Sequence, residues 1–174
     1  MILIGKKILI ITLLLFLSFS LFAEEGNWEI GPQMNYSGYL KPSKYSHGMG
    51  VGFNTYYNIN DFWGVNLSVD YNKHFTQSSY VSNIYAGVIY NLDILRLIPV
   101  LETGFSGTIL KNNEFNENFT SINWYGGIAF SYLLSWEKSV AIYFRYQTAL
   151  KDSIEIFNSY FVVGFRFNFI IETD

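Results

Sequence analysis

FNSYFVVGFRFNF, residues Phe157–Phe169, settles into a period of two. From Phe161 the odd positions are Phe161, Val163, Phe165, Phe167 and Phe169, and the even ones are Val162, Gly164, Arg166 and Asn168. One face is nearly all phenylalanine; the other carries an arginine, a glycine and an amide. Such a strand suits a wall with hydrocarbon on one side and packed polar groups on the other. A soluble sandwich strand alternates in the same way, so the reading depends on how often the pattern recurs.

It recurs seven more times. Trp28, Ile30, Pro32, Met34 and Tyr36 oppose Glu29, Gly31, Gln33 and Asn35, and Met49, Val51, Phe53 and Tyr57 oppose Gly48, Gly50, Gly52 and Asn54. Trp63, Val65, Leu67, Val69 and Tyr71 then face away from Gly64, Asn66, Ser68, Asp70 and Asn72. In Tyr80–Asn91 both faces are apolar, and Ile84, Ala86, Val88 and Tyr90 are favoured as the lipid side. Pro99, Leu101, Thr103, Phe105 and Ile109 oppose Glu102, Gly104, Ser106 and Thr108; Ile122, Trp124, Ile128 and Phe130 oppose Asn123, Tyr125, Gly127 and Ala129; and Val140, Ile142, Phe144 and Tyr146 oppose Ala141, Tyr143, Arg145 and Gln147. Segments rich in Gly, Asn, Ser, Pro or charge separate them and read as loops at residues 39–47, 73–79, 111–119 and 149–156, with short turns at the opposite end. The count is eight strands of about ten residues, near the ~9–11 that cross a bilayer at a tilt.

Composition agrees with a membrane wall. Of the 174 residues 20% are aromatic and only 14% charged, against roughly 25% charged in soluble domains. The polar face is mostly Gly, Ser and Asn with a few charges, and lacks the dense Lys and Glu that coat a solvated sheet. Lys6, Lys7, the apolar run Ile8–Phe22 and the small Ala23 form an export signal, expected to be cleaved after Ala23. Residues 24–174 are then the barrel domain, with 9 basic and 14 acidic residues and a net charge of −5. That balance excludes a nucleic-acid surface, and the absence of cysteine excludes disulfides and thiolate metal sites. The expected fold is all-β: an eight-stranded antiparallel up-and-down transmembrane β-barrel, monomeric, with both termini in the periplasm.

The charges sharpen this expectation. Asp70, Glu102, Arg145 and Arg166 all fall on the polar face. An arginine facing mid-membrane lipid costs ~2–4 kcal/mol, whereas inside the barrel it finds carboxylates. The four are therefore expected to form an inward, salt-bridged cluster, with Asp70 and Arg145 near mid-height and Glu102 and Arg166 nearer the periplasmic end. A side-chain-filled lumen is the main reading, and a narrow gated pore the alternative.

The chain resembles the small eight-stranded outer-membrane proteins of Gram-negative bacteria, the OmpA/OmpX-like superfamily. Ile98-Pro99-Val100-Leu101-Glu102-Thr103-Gly104-Phe105-Ser106-Gly107 is similar to their Pro-led fifth strand, and Tyr125-Gly126-Gly127 resembles their glycine-bearing sixth. The Phe-rich last strand resembles the signal read by the barrel-assembly machinery, although Ile170–Asp174 follow Phe169 here. The resemblance implies residence in the outer membrane, with its lipid and lipopolysaccharide as partners and a structural or surface-interaction role.

Some barrels of this size modify lipid A. The deacylase pattern His-x-Ser is not matched by His47-Gly48-Met49 or His74-Phe75-Thr76, and the acyltransferase pattern, a His with an Asp-Ser pair in early loops, is not matched because Asp152-Ser153 lies in the last loop. No catalytic residue, cofactor or metal is assigned. His47 and His74 have opposite parity and cannot readily clamp one ion, and Glu114 and Glu117 read as solvated loop charges.

Overall fold

Alternation makes each of these segments a strand, because a period of two puts all of its apolar side chains on one face. The computed structural model describes residues 26–39, 47–75, 79–92, 97–112, 117–150 and 159–172. The strands are β1 (Asn27–Tyr39), β2 (His47–Asn58), β3 (Trp63–His74), β4 (Ser79–Asn91), β5 (Leu97–Asn112), β6 (Glu117–Ser135), β7 (Lys138–Ala149) and β8 (Ser159–Glu172). Each pairs antiparallel with the next, and β1 pairs with β8 from Asn27↔Glu172 to Tyr39↔Tyr160, closing the barrel. Closure removes both sheet edges, so within the wall the backbone ladders are satisfied from strand to strand.

The outer wall is apolar. Met34, Val51, Leu67, Phe105, Ile142 and Phe165 are all exposed on it, and in β4 Ile84, Ala86 and Val88 point out while Asn83, Tyr85 and Ile89 are buried. Aromatic pairs gather near one rim, where Trp28 lies 4.8 Å from Tyr57 and Trp63 lies 4.7 Å from Tyr90. At that end the connections are tight. Asn60 Oδ1 accepts from the Phe62 and Trp63 amides at 3.0 and 2.8 Å, fixing the β2–β3 turn, and Trp136-Glu137 alone separates Ser135 from its partner Lys138.

The strands are longer than the expected ten residues, ranging from 12 in β2, β3 and β7 to 19 in β6. Residues 111–119 do not form a loop throughout: Leu110↔Phe119, Lys111↔Asn118 and Asn112↔Glu117 continue the β5–β6 ladder. Lys73↔Tyr80 does the same for β3–β4. Polarity marks where a strand leaves hydrocarbon, whereas pairing ends only where the chain must reverse, so the ladders outrun the apolar pattern. At the other end β8 runs past Phe169 to Glu172. The export segment, Glu114, Asp152-Ser153, Phe157-Asn158 and most of the Asp93–Leu97 turn lie outside the described residues.

Candidate functional site

Small residues on the inner face make room for large ones. Glu102 on β5 and Arg145 on β7 both pair with Gly127 of β6, which lies between them. With no side chain at Gly127, Arg145 lies across β6: a Cβ there would stand 3.0 Å from Arg145 Cγ. Tyr143 likewise overlies Gly164, where a Cβ would meet its Cζ at 2.5 Å, and Tyr125 overlies Gly87. Gly87, Gly127 and Gly164 are thus the footprints of tyrosine and arginine.

At the centre stands Glu102, 3% exposed. Its Oε2 accepts from Arg145 Nε at 2.7 Å, and its Oε1 accepts from Arg166 Nη2 at 2.8 Å and from the Tyr56 hydroxyl at 3.0 Å. Arg145 also donates from Nη1 to Ser68 Oγ at 2.8 Å. The guanidiniums, 1% and 2% exposed, lie against aromatic faces: Arg145 is 4.6 Å from the Tyr85 ring centre and 5.1 Å from that of Tyr143, and Arg166 is 4.2 Å from Tyr143 and 5.0 Å from Tyr56. Tyr143 thus packs against both cations.

Asp70 is buried but stands apart from this trio. It lies two residues beyond Ser68 along β3 and accepts from Asn72 and Asn83, each at 2.8 Å. Asn83 Oδ1 in turn accepts from Thr108, and Thr108 Oγ1 from Asn123, both within 2.8 Å. The sequence grouping therefore divides into an ion-paired trio and a carboxylate held in an amide network. Toward the β3–β4 loop the lumen ends in a ring cluster of Tyr39, His74 and Tyr160, with centres 5.0–6.0 Å apart. His74 is buried there, while His47 is exposed on the wall. Among the described residues no group of three His, Asp or Glu side chains could hold a metal ion.

Toward the tight turns the filling thins. A cavity of about 40 Å³ lies beside Arg166, lined by Tyr56, Ile89, Val100, Ala129 and Ala141, and a wider one of about 290 Å³ lies at the mouth. The two share Glu29, Asn91, Ile98 and Leu133 and form one vestibule. Glu29 was not grouped with the other inner charges in the sequence, although its parity matches theirs. It accepts from Asn168 at 3.0 Å, and from Asn58 and Ser139, each at 3.1 Å.

Eight strands closed into a barrel, an apolar outside and an ion-paired inside define the architecture. The fold is that of the small eight-stranded outer-membrane barrels. Neisserial surface protein A is similar at a TM-score of 0.70 and 15% identity, over 86% of this chain and 100% of that one. OprG of Pseudomonas aeruginosa is similar at 0.63 and 11%, over 86% and 98%, and Ail, the attachment invasion locus protein of Yersinia pestis, at 0.56 and 14%, over 85% and 100%. At these identities the likeness is one of fold alone. No protein-family model and no curated protein sequence matches the chain.

Proposed function

We propose that this barrel resides in a Gram-negative outer membrane, with the tight turns in the periplasm, and serves a structural or surface-interaction role with a non-conducting lumen. Glu102 carries the reading. One carboxylate bridging two guanidiniums fills the interior with paired charge, and removing that carboxylate leaves two buried cations without it. Catalysis is not part of the proposal, since neither histidine has a serine two positions on. Phe-rich β8 is the segment proposed to engage the assembly machinery.

A planar-bilayer recording tests this. The filled lumen predicts no steady conductance, and stable open events in the native protein would overturn it. The vestibule below Arg166 favours a second reading, a narrow pore gated where the trio blocks it. On that reading Glu102→Ala would raise conductance while the barrel stays folded, read as a mobility shift on boiling before electrophoresis. An enzyme would be revealed by a mass change in lipid A incubated with the protein.

A further inference from the structure

We propose that the outer wall carries a lateral site for the phosphorylated headgroup of an outer-leaflet glycolipid, formed by Lys73, Tyr80 and Lys111. Tyr80 pairs with Lys73 on one side and with Lys111 on the other, so the three stand in one row across β3, β4 and β5. Neighbouring strands are ~4.8 Å apart, which sets the two lysine backbones about 10 Å apart with a phenol between them. Both lysines are exposed on the lipid-facing side, and among the described residues neither has a carboxylate partner.

The surroundings fit a lipid rather than a free ion. In the next row down, Tyr71 pairs with Ser82, and the Tyr71 ring stacks on Tyr80 at 5.5 Å with 19° between planes. One row lower the wall turns apolar: Val69, Ile84, Gly107 and Ile122 lie side by side. A Cβ at Gly107 would meet nothing within 4 Å, so the glycine leaves a shallow notch between two isoleucines, two rows below the lysines and one below Ile109. Lysine stems lie along such a wall with the ammonium at the headgroup level, and an acyl chain in the notch sets its own phosphate beside them. Charge is also distributed by end. Among the described residues, the exposed ionised groups at the rim of the tight turns are Asp61, Glu137, Glu172 and Lys138, mostly acidic and unsuited to a phosphate.

The proposal rests on the outer-membrane reading, but its test does not depend on orientation. Protein purified in detergent is titrated with bisphosphorylated lipid A, with bound lipid counted by native mass spectrometry. Lys73→Gln/Lys111→Gln should bind about thirtyfold more weakly, from about fivefold per juxtamembrane cation, and Lys138→Gln should bind as the native chain does. Dephosphorylated lipid A should not distinguish native from double variant. A loss below threefold, an equal loss for Lys138→Gln, or the same discrimination with phosphatidylglycerol would overturn the site. Folding of each variant is read by its shift on boiling, and Lys73→Arg/Lys111→Arg, which keeps both charges, should bind like the native chain.

Discussion

Glu102 is the residue on which the interior turns, because among the described residues it is the one carboxylate bonded to both Arg145 and Arg166. Glu102→Gln keeps the shape and removes the charge, leaving two guanidiniums in a site that no longer neutralises them. Urea unfolding from lipid vesicles should show a loss of about 3–5 kcal/mol. The triple change Glu102→Leu/Arg145→Met/Arg166→Met should cost less than the single one, since it leaves neither guanidinium behind without its carboxylate. At Gly127 a valine would bring Cβ to 2.7 Å from the Phe144 carbonyl oxygen as well as against Arg145. The expected penalty is about 1–3 kcal/mol, or failure to refold, read by the same assay. The inward facing of these residues was legible in the sequence because parity needs only a period of two. Their division was not: which strand lies across the lumen from Arg145 depends on closure and shear, and these leave no local trace.

Strands carry the membrane boundary. Phe165 sits mid-strand in β8 between Met34 and Ile142, whereas Ile171 stands beside Trp28 at the rim. Phe165→Arg should destabilise by about 2–4 kcal/mol and Ile171→Arg by about 0–1 kcal/mol, measured as vesicle unfolding midpoints. Similar penalties at the two positions would contradict a hydrocarbon belt centred on Phe165. Facing was readable even in β4, where Ile84, Ala86 and Val88 form the outer side although Tyr85 and Ile89 are just as apolar. Strand ends were less legible. Lys73, Lys111 and Asn118 look like loop residues because they are polar, but they pair because a ladder continues into water until the chain turns.

For the whole molecule, orientation is open to a clean measurement because the chain contains no cysteine. Phe75→Cys lies just beyond β3 at the loop end, and Trp136→Cys at the tight-turn end, where the native side chain is 89% exposed. A membrane-impermeant maleimide applied to intact cells should label the first and reach the second only after lysis. Equal labelling of both, or the reverse order, would invert the proposed topology.

The vestibule opens toward Glu29 and ends at Arg166, while the Tyr39, His74 and Tyr160 rings pack at the other end of the lumen. If the lumen is filled as proposed, electrolyte on the tight-turn side has a path toward the guanidinium of Arg166 that the opposite medium lacks, and unfolding is expected to respond to salt added on that side first.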